Sequence, residues 1–263
     1  MLFGFALATV AASVAAPVDD VAAALGAMKV APSAGRRDLY AALINGLKSD
    51  GVWNRLDWLL ISAAHDEQAG RINLKAPSKM AIASGGLTFT ADRGFSGDGT
   101  SASLDLGERQ GAPSQYARQD SCSAGVWCNQ QGAASGQFGH FAQAASTHRT
   151  SILAHSGGND VIRAADATAD VLRAGTTRVG HRAFARSGPA NKLGFFNGAQ
   201  VSTAATPSTG LSSLNMVLLR WNTGSFSPDR IAAAWTGDGS ITGAKAAAIH
   251  DRLNTFLTAI GAA

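Results

Sequence analysis

Residues 87–107, LTFTADRGFSGDGTSASLDLG, decide the fold class. Leu87, Phe89 and Ala91 alternate with Thr88 and Thr90, the period-2 pattern of a half-buried strand. Gly94, Gly97 and Gly99 then cluster around Asp98, a turn composition. A second alternation follows, with Ala102, Leu104 and Leu106 set against Ser101, Ser103 and Asp105. Short apolar runs separated by turn residues continue downstream. They predict strands near 102–106, 114–118, 125–128, 137–142, 151–154, 161–164, 179–185, 192–196, 216–221 and 230–236. In the run FFNGAQV, Asn197 and Gly198 supply the positive φ angles of a tight hairpin turn. This rhythm is that of a mainly β chain folded as an antiparallel β-sandwich of jelly-roll type.

The composition agrees. Of 263 residues, 46% are hydrophobic, only 15% are charged and 30 are glycine. That excludes disorder and suits many short strands joined by small-residue turns. The net charge is +4, but the basic residues stand in ones and twos, as at Arg36 and Arg37, Arg149, Arg163, Arg173, Arg178, Arg182 and Arg186. No run of them interleaves with aromatics, so nucleic acid is not the expected partner.

Three regions flank or lead into the sandwich. Residues 1–32 begin with an uncharged, alanine-rich run that continues to Asp19. With no Lys or Arg ahead of it and a modest transfer energy, it reads as an apolar anchoring arm that docks on a neighbouring subunit. It does not read as a secretory signal or a membrane-inserted helix. Residues 33–78 read as a helical lead-in. Leu39, Leu43 and Leu47 recur every four residues with Tyr40 and Ile44 beside them, and Asp50 and Gly51 stop the helix. Trp53, Leu56, Leu59 and Leu60 then read as the second arm of a helical hairpin, and residues 71–75 alternate like a strand. Residues 79–263 hold the sandwich and a closing C-terminal helix. That helix carries an Ile249, Leu253, Phe256, Leu257, Ile260 stripe, with Thr242 as its expected N-cap and Gly261 just past its end.

Taken in order, three of these pieces resemble concanavalin-A-like (laminin-G-like) jelly-roll domains: residues 94–107, residues 193–201 with their Asn-Gly turn, and residues 225–261. The segment RRDLYAALINGLKSDGVWNRLDWLLISAAHDEQAGRINLK, residues 36–75, looks like the one that precedes this module in virion structural proteins of tailed bacteriophages and prophages. The resemblance spans residues 36–261. It implies a tail fibre, spike or capsid decoration protein, found in the virion, with a lectin-like domain. It implies host-surface glycans or neighbouring virion subunits as partners. The arm, which has no counterpart in the resemblance, is expected to anchor the chain to other virion proteins, with further copies in a homo-oligomer. Fold alone does not choose between adhesion and subunit bridging.

Signatures of chemistry are sparse. No Glu-x-Asp-x-x-Glu strand motif, Gly-x-Ser-x-Gly elbow or phosphate loop occurs, so no catalytic or cofactor-binding residue is assigned and no enzyme is expected. The alternative is a polysaccharide depolymerase on the same scaffold, whose acidic pair strand order would have to assemble. A secreted lectin is a third reading. The histidines lack metal-ligand spacing, and Asp98 and Asp105 are thin for calcium, so no metal is expected. Cys122 and Cys128, in SCSAGVWCN, could close a small disulfide loop or stay as two buried thiols. Trp127 lies in that loop, followed by Asn129, Gln130 and Gln131. It is the candidate glycan contact, with Asn129, against the alternative of a core strand tryptophan.

Overall fold

The structure, a computed structural model, describes residues 19–133, 138–144, 148–175, 177–221 and 224–263. Residues 1–18 of the expected arm lie outside these. The described residues form helices α1 (Asp20–Gly26), α2 (Ala34–Ser49) and α3 (Ala244–Ala259), and two large antiparallel sheets. In spatial order the eight-stranded sheet runs β13 (Ala199–Ala204), β12 (Asn191–Phe196), β11 (Gly180–Gly188), β6 (Cys122–Gln130), β17 (Arg230–Gly237), β4 (Gly94–Ser96) and β3 (Thr88–Thr90). Its eighth strand, β1 (Leu56–Leu60), also pairs with β17. The seven-stranded sheet runs β10 (Asp170–Ala174), β9 (Asn159–Asp166), β8 (Arg149–Ser156), β7 (Phe138–Ala144), β14 (Val217–Leu218), β5 (Ser103–Asp105) and β2 (Ile82–Ser84). A short ribbon pairs β15 (Arg220–Trp221) with β16 (Ser225–Phe226). The fold is therefore the mainly β sandwich that the alternation predicts. Asn197 and Gly198, with φ of 49° and 80°, make the hairpin turn between β12 and β13.

Period-2 burial builds two cores. Between the sheets, Ala124, Val126 and Phe184 meet Leu104, Phe141, Ile152, Ile162 and Leu218. On the other face of the eight-stranded sheet, Trp127, Ala183, Phe195 and Trp235 meet the buried faces of the helices. There the leucine-rich face of α2 packs on α3, and the rings of Tyr40 and Phe256 stand 5.0 Å apart. The molecule thus has three layers: helices, eight-stranded sheet, seven-stranded sheet.

Several expectations are corrected. Residues 53–60 are not a second helical arm. Trp53–Arg55 is a single 3-10 turn, and Leu56–Leu60 is β1, with Trp58 and Leu60 in the inter-sheet core and Leu59 in the helix-side core. A continuous apolar run buried on both faces reads alike as helix or strand. The helical partners of α2 are α1 and α3. The arm therefore does not extend to residue 32: Asp19 caps α1, Trp53 Nε1 donates to Asp20, and Ala24 is in the core. The segment at 71–75 begins with a 3-10 turn (Ala69–Arg71) and makes one bridge, Ile72 to Met80. Around 114–118 only the Arg118–Ser121 bridge forms. Gly243, not Thr242, is the N-cap of α3.

The disulfide is also corrected. Cys122 and Cys128 are free and buried, six residues apart along one central strand, β6. At about 3.3 Å per residue they are ~20 Å apart, far beyond the roughly 4.4–6.8 Å Cα separation a bridge needs. Burial pushes both thiols up to about 12. The intervening Gly125 is dictated by packing, since a Cβ there would fall 2.3 Å from the Trp235 indole nitrogen.

The inter-sheet core is also crossed by charge. Arg182 and Arg186 on β11 and Lys192 on β12 project inward from the eight-stranded sheet, and all are fully buried. Asp160 and Asp166 on β9 and Asp170 on β10 meet them. Arg182 Nε lies 2.8 Å from Asp160, Arg186 Nη2 lies 2.7 Å from Asp166, and Lys192 Nζ lies 2.8 Å from Asp166 and also contacts Asp170. The guanidiniums are further held by backbone carbonyls: Arg186 donates to Ala164, Pro189 and Thr206, and Arg182 to Thr177 and Arg178.

On the helix side, the rings of Trp127, His181 and His250 lie nearly parallel, with centroids 5.1–5.6 Å apart. Trp235 Nε1 donates to His181 Nε2 at 3.0 Å, which leaves His181 neutral with its proton on Nδ1. Burial, then the positive charge of His250 and Arg182, lowers His181 to about 3.

Two predictions follow from these cores. Asp166→Asn leaves the buried Arg186 without its counter-charge and Lys192 with Asp170 alone, and is expected to cost about 3–5 kcal/mol, read from urea unfolding midpoints. Glu67→Gln, at an exposed pair 3.7 Å from Arg71, should leave the midpoint in place. For pH, His181 is neutral in the folded protein and takes up a proton on unfolding once pH falls below its unfolded value of about 6.5. Its contribution is therefore complete above that pH and is lost progressively as pH falls toward 3. Between about pH 7 and pH 5 the loss attributable to His181 should be on the order of 2 kcal/mol. His181→Gln, which keeps an acceptor for Trp235, should flatten that part of the acid limb. An unchanged limb in the variant would refute the assignment.

Candidate functional site

The sequence-predicted contacts are taken up by the fold. Trp127 is 5% exposed and packed under α3, on the helix side of β6. Its neighbour Asn129 is committed to the frame: its amide donates to the carbonyls of Arg93 and Ala262 and its oxygen accepts from Arg230. Both serve the frame: Trp127 is the core strand tryptophan of the alternative reading, on the strand expected near 125–128.

The one buried grouping with metal-ligand atoms is Cys128, His140 and Asp229, among the described residues. A β-bulge at Gly139–Phe141 turns His140 inward, where its Nε2 sits 2.7 Å from Asp229. The donor set does not fit a cation. Arg178 Nε already bonds both Asp229 oxygens, at 3.0 and 2.8 Å, and Cys128 is a neutral thiol donating to the Gln130 carbonyl. Burial opposes ionisation of Asp229, but hydrogen bonds from His140, Arg178 and the Gly132 amide hold its carboxyl well below the usual range. This cluster is an internal brace.

The carboxylates are similarly engaged. All of Asp98 goes into its turn: Oδ1 accepts from the amides of Thr100, Ser101 and Ala102, and Oδ2 from the Ser101 hydroxyl. Asp57 is raised by burial to about 6, yet its two oxygens take the Tyr116 and Ala117 amides. Glu108 is bound by Lys79, Trp58 and Gln115.

A different surface gathers open chemistry. The helices cover the eight-stranded sheet, and the seven-stranded sheet turns its outer face away from them. On that face Ser151 and Ala142 are buried, while Arg163 and Trp221 are half-buried. Its register places Val217, Ala142, Ser151 and Arg163 in one row across β14, β7, β8 and β9. The adjacent row, Leu218, Phe141, Ile152 and Ile162, points into the core. Arg163 therefore faces outward, and its guanidinium lies 5.7 Å from the ring centroid of Trp221, a half-buried residue on β15. Ser151 Oγ, Arg163 Nε and Nη1 and Trp221 Nε1 have no hydrogen-bond partner among the described residues. Arg149, earlier on β8, adds positive charge: burial first, then Arg149, lowers the Arg163 pKa. Nothing in the sequence marks this patch, because its members come from strands far apart in the chain.

Polar groups enclosed without partners cost free energy until an acceptor arrives.

No protein-family model matches the sequence, and no curated protein matches it. Solved structures do match in fold. Domain 4 of AbnA, a GH43 extracellular arabinanase from Geobacillus stearothermophilus solved in complex with arabinotriose, has a TM-score of 0.51 at 12% identity, covering 74% of this chain and 98% of that domain. Trypanosoma rangeli sialidase in complex with a difluoro-KDN has a TM-score of 0.54 at 8% identity, covering 84% of this chain and 40% of the sialidase. The binding domain of Paraclostridial Mosquitocidal Protein 1 has a TM-score of 0.52 at 9% identity, covering 78% of this chain and 53% of that one. The chain thus spans about half or less of the last two proteins. At such identities the likeness establishes the β-sandwich fold, shared with domains of glycoside hydrolases and a toxin.

Proposed function

We propose that this chain is a non-enzymatic sugar-binding module that acts as an adhesin or decoration on a bacteriophage particle. The observation that carries the binding role is Trp221, half-buried beside Arg163 on the outer face of the seven-stranded sheet. The indole offers an apolar surface for a sugar ring, and the neighbouring donors offer partners for its oxygens. The fold fits this use, since the arabinanase domain was solved with an oligosaccharide bound. The absence of catalytic motifs and the commitment of Asp57, Asp98 and Glu108 to local hydrogen bonds favour binding over hydrolysis. The particle role rests on the resemblance carried by residues 36–75 and on the apolar composition of residues 1–18. No described helix is long and apolar enough to cross a membrane.

The test has two arms. Purified protein should bind host surface polysaccharide without releasing reducing sugar. Trp221→Ala should weaken that binding by about tenfold or more while circular dichroism stays unchanged. Release of reducing ends would move the chain to the depolymerase reading. A chain lacking residues 1–18 should remain folded but fail to co-purify with particles, and normal co-purification would remove the arm from the account.

A further inference from the structure

We propose that the saccharide taken at this site is anionic, with a carboxylate or sulfate group seated on Arg163. The inference rests on the sugar-binding reading above and adds the chemical class of the ligand. Its ground is a contrast among the inward- and outward-facing arginines. Arg173, Arg178, Arg182 and Arg186 each stand within an ion pair, to Asp160, Asp229, Asp160 and Asp166. Arg163 has no ion pair among the described residues, and two of its three guanidinium nitrogens are enclosed without an acceptor.

The nearby acids do not fill this role. Asp166 and Asp170, whose fields reach Arg163, belong to the inner face and are already bound by Lys192, with Arg186 also on Asp166 and Thr206 on Asp170. Asp105, in the same outward row, lies four strands away on β5 and accepts from Gly107 and Asn215.

The surrounding groups point the same way. Guanidinium and indole N–H groups only donate. A donor-rich site is completed by an acceptor-rich group, and the unpaired charge of Arg163 favours a negative one. Arginine hydrogen bonds to carboxylate or sulfate oxygens are charge-assisted and stronger than those to a neutral hydroxyl.

The experiment measures binding of the full chain by calorimetry to four probes: tetragalacturonate, its carboxyl-reduced neutral counterpart, a sulfated tetrasaccharide, and a single-stranded oligothymidylate. The expected result is that the uronate, the sulfated sugar or both bind at least about tenfold tighter than the neutral sugar. Which of them leads identifies the anion. Arg163→Gln should reduce that preference to within about twofold while retaining weak neutral binding through Trp221. Lys29→Gln, at an exposed lysine remote from the patch, should change nothing, and thermal melts confirm that the variants are folded. Equal affinity for acidic and neutral sugars would overturn the anionic assignment and leave the sugar-binding reading standing. Binding to no saccharide would overturn both, and oligothymidylate binding in that case would reassign the patch to nucleic acid.

Discussion

The lattice of buried ion pairs between the sheets is the constraint on which the rest depends. The inner face of the eight-stranded sheet carries Arg182, Arg186 and Lys192, and the inner face of the seven-stranded sheet carries Asp160, Asp166 and Asp170. Buried pairs add little net stability over apolar packing, but a mispaired arrangement would strand several charges in a dry interior. They therefore act on specificity. Because strand side chains alternate, a shift of one residue in β9 would turn Asp160 outward and Arg163 inward. The same parity that seats Asp160 against Arg182 delivers Arg163 to the outer face beside Trp221.

Much of the fold is legible in the sequence. Alternation at 87–91 and 102–106, the Asn-Gly turn and the apolar stripe of α3 all mark elements that form. Residues 53–60 are buried on both faces, so hydrophobicity there carries no period to read. The strand expected at 125–128 forms within the longer β6, and what fails in SCSAGVWC is the disulfide loop: Gly125 is small to admit Trp235 and the cysteines fill the inter-sheet core. β10 is hidden because its Asp170 and Arg173 belong to ion pairs, and charged residues disguise a strand.

The candidate site is less legible than the fold for a geometric reason. Ser151, Arg163 and Trp221 become neighbours only through the pairing of β7, β8 and β9 and the placement of β15. Trp127, conspicuous in sequence beside polar residues, is consumed by its stack with His181 and His250. The most buried aromatics and histidines here serve packing. The chemistry left open to a ligand belongs to an arginine that lacks a carboxylate of its own.

The layer of helices on one side of the sandwich has a consequence for how copies would work together. Residue 19 enters the fold at α1, on the helical side, while the Arg163 and Trp221 face lies beyond both sheets. A chain tethered through the residues before α1 would hold its binding face away from the tether. Copies arrayed on one support would all point the same way, toward a common opposing surface. Under that geometry each contact can be weak and rapidly exchanging, because simultaneous engagement multiplies the hold by avidity.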